Sequence, residues 1–285
     1  MKKILIILLF LNVCLRSQNL VPNWSFETYT ACPGGGGEIS KAVPWIGQTA
    51  SGTTDYYNSC AIGNLNVPYS SSGFQYAKDG VGRVGFWLYG SPLAPNLREY
   101  AQVMLIDTLV NGNCYYIEFY ANLANQSRWA NNNLAANLSK TQYSTTGTGA
   151  VLNLPQHITN NLNPIVKDTL NWTKVSGIYV ASGGEKYLTI GNFKDDLNTD
   201  TIKVFPTGGA YGSYYYLDAV SGYSINPTGI LPWTYNNTSV AIGDSVYIGN
   251  TMGGTFASNW YTLPGVFIKS GSGIYVKPTI KQKIN

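Results

Sequence analysis

The chain has 285 residues, of which 11% are charged and 13% aromatic, with 22 Tyr, 7 Trp and 31 Gly. An average soluble domain carries about 25% charged residues, and so few here argue against a helical bundle, whose surface favours Glu, Lys and Ala. A 44% hydrophobic content and a formal charge of +4 argue against disorder. Tyr, Gly, Asn, Ser and Thr in this abundance predict short strands joined by polar loops.

In chain order, residues 1–17 form a secretory signal peptide: Lys2 and Lys3 give a basic start, Ile4 to Leu15 an apolar run and Ser17 a small residue near a cleavage point. The run of about 12 apolar residues is short beside the ~20 of a membrane-spanning helix. Val13 stands where lipid attachment at Cys14 would want a small residue. The mature chain is therefore expected to be exported, at the cell surface or outside the cell, without a transmembrane span. Removing Lys2, Lys3 and Arg16 leaves 15 bases against 14 acids, a net +1. So neutral a surface offers little to phosphate backbones, and nucleic acid is not expected as a partner.

Strands are expected at residues 19–27, 84–89, 98–106, 115–123, 134–139, 172–180, 186–190 and 214–223. In the 115–123 run, Tyr115, Ile117, Phe119 and Ala121 share one face and Tyr116, Glu118 and Tyr120 the other, the period of a half-buried strand. Eight such runs over about 200 residues predict an all-β, antiparallel, two-sheet jelly-roll sandwich at 18–226. From Pro227 the texture changes. Residues 227–285 read as a short β-rich extension with strands at 239–248 and 273–277, the start of an immunoglobulin-like sandwich too short to close its core.

Three cysteines remain in the mature chain. Cys32 and Cys60 lie in loop-like sequence where a disulfide would staple long connections, whereas Cys114 opens a strand. Enzyme patterns are poor. His157 is the single histidine and has no local nucleophile motif; Gly243-Asp244-Ser245 has no histidine after it. A glycosidase needs two facing carboxylates. Glu99 with Glu118 could in principle meet across paired strands, as such pairs do in any all-β chain with 14 acids. The Gly34–Gly37 run lacks the Lys-Ser/Thr of a phosphate loop. No catalytic residue is assigned.

Asn19-Leu20-Val21-Pro22-Asn23-Trp24-Ser25-Phe26-Glu27 resembles the opening strand of secreted, galactose-binding-like, carbohydrate-binding-module-like jelly rolls, with Trp24 where Gly is common. Tyr214-Tyr215-Tyr216-Leu217-Asp218-Ala219-Val220 resembles their closing strand. Arg98–Gln102, Tyr115–Phe119 and Gly184–Phe193 resemble blocks of a narrower group, the N-terminal jelly rolls of secreted and surface proteins from gliding-type bacteria with type IX export. The resemblance spans about residues 19–225 and implies a non-catalytic carbohydrate-binding or adhesion module, or a structural spacer or protein-interaction domain of a surface or outer-membrane assembly with no sugar ligand. The partner would be a carbohydrate or a surface protein.

The resemblance also implies a structural Ca²⁺ beside the first and last strands, with Glu27 and Asp218 at the matching positions and Ala219 where a second acid often stands. A sugar site needs exposed aromatic faces beside amide and charged groups. The loop-like sequence offers Trp45, Tyr56, Tyr57, Tyr69, Trp87 and Trp129 for the faces, and Arg98, Asn125 and Asn131 for the hydroxyls, with Trp24 and Trp172 assigned to the core.

Overall fold

The computed structural model describes residues 18–48, 53–90, 94–144, 150–160, 165–205 and 212–225, and the backbone of four strands beyond them. The expected signal segment 1–17 and Gly243–Ser245 lie outside the described residues. The chain divides into two compact units, Met1–Ile225 and Asn226–Asn285.

In the first unit the strands are β1 (Asp55–Asn58), β2 (Tyr69–Ser70), β3 (Gly73–Phe74), β4 (Gly82–Tyr89), β5 (Ala101–Met104), β6 (Cys114–Leu123), β7 (Trp129–Asn131), β8 (Leu134–Ser139), β9 (Ile158–Thr159), β10 (Thr173–Val180), β11 (Tyr187–Asn192), β12 (Thr201–Lys203) and β13 (Ser213–Ile225). The one helical turn among the described residues is a 3₁₀ turn at Ile39–Lys41. A five-stranded sheet runs β1-β4-β13-β6-β10 and a four-stranded sheet runs β5-β11-β8-β9, every pair antiparallel. Consecutive strands cross from sheet to sheet: β4, β6, β10 and β13 in one alternate with β5, β8 and β11 in the other. That alternation of two interleaved Greek keys is a jelly roll. A small β7–β12 ladder lies beside it.

The core lies between the sheets because the strands alternate as their sequence does. On β6, Tyr115, Ile117, Phe119 and Ala121 are buried, together with Val84, Phe86 and Leu88 of β4 and Leu188 and Ile190 of β11. A second cluster covers the opposite, outer face of the five-stranded sheet. There Ala61, Leu65 and Val67 of the segment 59–78 pack on Tyr57, Tyr214 and Tyr216. The segment is fastened at its base by the Cys32–Cys60 disulfide, with Cα atoms 5.7 Å apart, and Cys114 stays free.

Residues 19–27 depart from the expected strand. Asn23 and Phe26 take positive φ values of 45° and 60°, which breaks the ladder into single bonds: Leu20 N–H to Gly222 O, Val220 N–H to Trp24 O. The segment 55–58 was not expected as a strand, since its Asp-Tyr-Tyr-Asn is too short to show a period; pairing with β4 makes it one.

In the second unit β14 (Val246–Gly249) pairs with β17 (Gly273–Val276) and β15 (Ser258–Tyr261) with β16 (Phe267–Gly271), all antiparallel.

Candidate binding cleft on the five-stranded sheet

On β13 the even-numbered residues Tyr214, Tyr216 and Asp218 point outward, and Tyr215 and Leu217 inward to the core. Between Asp218 and Ser221 the register slips by one residue: Asp218 faces Tyr120 of β6 and Ser221 faces Glu118. Ala219, in the left-handed region at φ 50°, carries the extra residue. Because side chains alternate, one inserted residue exchanges the faces of everything after it. Val220 then turns into the core, and Ser221 and Tyr223 turn outward beside Glu118 and Tyr120.

These side chains form one wall of a cleft of about 220 Å³. Trp24, 40% exposed, enters from the N-terminal segment, whose carbonyl is held by Val220 N–H at 2.8 Å. Lys78 and Asp79 enter from the segment that covers the sheet, and Lys78 Nζ lies 4.8 Å from the Tyr120 ring centroid. The Glu118 carboxylate accepts the Tyr116 hydroxyl at 2.8 Å and lies 3.7 Å from Lys174 Nζ. Burial raises the phenols of Tyr116, to about 12, and Tyr120, so both remain hydroxyl donors at neutral pH. The cleft thus brings together three aromatic side chains, Trp24, Tyr120 and Tyr223, with two carboxylates, a hydroxyl and an ammonium that lies over the Tyr120 ring.

Of the aromatic residues expected to bind sugar from sequence none lines this cleft; Tyr69 is 71% exposed on the β2–β3 hairpin, and the others are wholly or partly buried. Trp45 is 1% exposed, packed on Phe26 at 4.8 Å with its indole N–H on Asn23 O. Tyr56 is also buried, donating to Phe26 O. Tyr57 is buried beneath the covering segment, its hydroxyl 2.9 Å from that of Tyr214. Trp87 is half-buried edge-on to Tyr214, and Trp129 sits half-buried in the β7–β12 ladder. The polar partners serve the fold. Arg98 is fully buried, bonded to Lys194 O, Leu97 O and Thr199 and paired with Asp196 at 2.9 Å. Asn131 is fully buried, its N–H donating to Tyr215 Oη. Asn125 accepts Phe74 N–H and donates to Thr169 O, anchoring the β2–β3 hairpin. Conversely Trp24, expected in the core, lines the cleft. Its presence where the resembling modules carry Gly was the available signal.

Glu27 and Asp218 each have a structural task. Glu27 Oε1 accepts Val81 N–H and Gly82 N–H, and its carboxyl lies so close over Gly80 that a Cβ there would come within 2.3 Å. Asp218 is fully buried, Oδ2 accepting Lys78 N–H and Asp79 N–H and Oδ1 accepting Ala219 N–H. Burial pushes its carboxyl upward against the pull of those three donors. Calcium needs six to eight oxygens with lone pairs turned to the ion. Glu27 Oε1 and both Asp218 oxygens are turned to N–H donors, and no group of three His, Cys, Asp or Glu side chains suited to a metal occurs among the described residues. The arrangement is that of a clamp on residues 78–82.

Elements of catalysis are equally committed elsewhere. His157 Nδ1 accepts Leu138 N–H at 3.0 Å and its ring stacks on Tyr179 at 4.6 Å. Glu99 is buried on Trp87 N–H, away from the cleft that Glu118 lines. Among the described residues no helix is long and apolar enough to cross a membrane.

No family model matches the chain, and no curated protein matches it. Solved structures resemble it at low identity. The CBM22-1 xylan-binding domain of Xyn10C from Paenibacillus barcinonensis shares 15% identity over 73% of this chain and 95% of its own, with a TM-score of 0.38. The K1 cleaved adhesin domain of Lys-gingipain from Porphyromonas gingivalis shares 18% over 71% and 96%, with a TM-score of 0.32. The N-terminal cellulose-binding domain of β-1,4-glucanase C from Cellulomonas fimi shares 11% over 63% and 95%, with a TM-score of 0.30.

Proposed function

We infer that the N-terminal unit is a non-catalytic carbohydrate-binding module of an exported protein, acting at the cell surface or outside the cell. The observation that carries this reading is the cleft itself: Trp24, Tyr120 and Tyr223 around Glu118, Asp79, Lys78 and Ser221 on the rigid face of a sheet. At about 220 Å³ it is smaller than the ~300–1,000 Å³ of drug-sized pockets. That size suits one short stretch of saccharide with its ends in solvent. The apolar leader and the Cys32–Cys60 disulfide support export into an oxidising compartment.

The second reading is a structural or protein-interaction domain of a surface assembly with no sugar ligand. It is favoured by the burial of Trp45 and Tyr56 in the core and of Tyr57, Tyr214 and Tyr216 beneath the covering segment on the outer face. A glycan array and immobilised xylan, cellulose, chitin and mannan, probed with the full mature chain, separate the two. Retention that Trp24→Ala and Tyr120→Ala each reduce about tenfold, with unchanged circular dichroism, supports the module. No retention of a folded chain on any of these glycans leaves the spacer reading standing.

A further inference from the structure

The β2–β3 hairpin carries three aromatic side chains that the cleft does not use. Tyr69 is 71% exposed, Tyr76 65% and Phe74 39%, with ring centroids 4.8 Å apart for Tyr69–Phe74 and 5.3 Å for Phe74–Tyr76, both edge-to-face. Large aromatics so exposed are uncommon on a surface with no ligand to cover them.

The hairpin is held firmly from below. Ser70 Oγ bonds Gly73 O and the Tyr216 hydroxyl, Asn125 accepts Phe74 N–H, Trp172 Nε1–H reaches Tyr76 O at 3.2 Å, and the buried Arg83 guanidinium donates to Gln75 O. Gly73, at φ 130° against the Asn125 side chain, permits the tight turn. The hairpin backbone is therefore held by anchors on two strands of the sheet, β4 and β13, and in the loops after β6 and before β10, which lowers the cost of ordering it around a ligand. The hairpin also leads into the cleft: two residues beyond Tyr76, Lys78 lies against Tyr120, with its backbone N–H fixed on Asp218.

We propose that the Tyr69–Phe74–Tyr76 hairpin is an extension subsite that binds a saccharide chain running out of the cleft, so that the ligand is an oligo- or polysaccharide chain rather than a terminal mono- or disaccharide. This rests on the cleft reading above. The chemistry favours sugar over a lipid surface because two of the three rings carry phenol hydroxyls beside seryl and amide groups, and the neighbouring Lys78 is engaged with Tyr120. Tyr76 precedes the cleft residue Lys78 by two positions, and although one ring of each edge-to-face pair has a face covered by its neighbour's edge, Tyr69 and Tyr76 stay 71% and 65% exposed.

The test titrates the full mature chain with size-fractionated di- and hexasaccharides from xylan, cellulose, chitin and mannan, by calorimetry. Wild type is expected to bind a hexasaccharide of at least one series about tenfold or more tighter than its disaccharide. Tyr76→Ala and the double variant Tyr69→Ala/Tyr76→Ala are expected to bring the hexasaccharide down to the disaccharide affinity while leaving the disaccharide unchanged. Both positions are exposed, and thermal melts confirm that the variants fold. A hexasaccharide advantage that survives in both variants, or no advantage in wild type while Trp24→Ala abolishes disaccharide binding, overturns the extension subsite and leaves the cleft. No binding of any saccharide to folded wild type overturns the cleft and the extension with it.

Discussion

Ser221 of β13 stands directly opposite Glu118 of β6, although the preceding pair is Asp218 with Tyr120, so β13 spends three steps where β6 spends two. The extra residue is Ala219, held at φ 50°. An L-residue with a Cβ costs roughly 1–2 kcal/mol in that conformation and glycine pays no such penalty. Ala219→Gly is therefore expected to stabilise the protein by about 1 kcal/mol in urea denaturation, offset in part by glycine's freedom when unfolded. Deleting Ala219 removes the bulge itself, so Ser221 stays opposite Glu118, Val220 stays inward and Ser221 and Tyr223 stay outward. Saccharide retention should therefore survive the deletion, with a fall in stability from the lost Ala219 N–H to Asp218 bond seen in urea denaturation.

Glu99 gives the molecule a pH signature. Burial pushes its carboxyl up to about 8 from an ordinary 4.5. The folded chain thus keeps a proton that the unfolded chain releases, and the Glu99 contribution to stability falls as pH rises from about 4.5 to 8. Asp218 and Asp55, raised by burial, act in the same sense and His157, lowered by burial, in the opposite one. Glu185, lowered to about 2 by its hydroxyl and N–H donors, acts in the opposite sense but below that window. Glu99→Gln keeps an acceptor for Trp87 N–H and removes the proton. Urea midpoints measured from pH 5 to 8 should then flatten relative to wild type; an unchanged slope would reject the assignment.

The Cys32–Cys60 disulfide closes a span of 28 residues that includes β1. Loop-entropy reasoning gives such a crosslink about 3–4 kcal/mol. Cys60→Ser, or reduction of wild type with dithiothreitol, is expected to lower unfolding free energy by roughly that amount. Cys114→Ser should change little, since that thiol is free.

Glu27 distinguishes a clamp from a metal ligand. Glu27→Gln retains an oxygen for Val81 and Gly82 N–H and is expected to cost under about 1 kcal/mol, whereas Glu27→Ala strands both donors and should cost about 1–3 kcal/mol. Thermal melts with millimolar Ca²⁺ and with chelator should superimpose. A chelator-induced fall in melting temperature that Glu27→Gln abolishes would show that the carboxylate serves calcium after all.

Much of the sandwich was legible along the chain. Strand β8 occupies the expected residues 134–139, and the two faces of β6 are those its alternation gives, because period-two burial is a local property that sequence carries directly. The cysteine pairing was legible for a related reason: two cysteines in loops and one in a strand leave one natural staple.

The binding face was not legible, and Trp24 and Trp45 show why. Both flank Pro- or Gly-containing loops, and nothing local tells their indoles apart. Trp45 is buried because Phe26 and the Asn23 carbonyl meet it; Trp24 is exposed because its own carbonyl is tied to Val220 on the far side of a bulge 196 positions along the chain. Composition and alternation determined an all-β, two-layered chain with a single disulfide. Which aromatics meet solvent was decided in three dimensions, by one inserted residue in β13 that exchanges faces and by a segment, 59–78, that covers the rest of the sheet. Burial of a side chain is a relation between distant segments, and a bulge or a covering loop changes it without changing the local pattern.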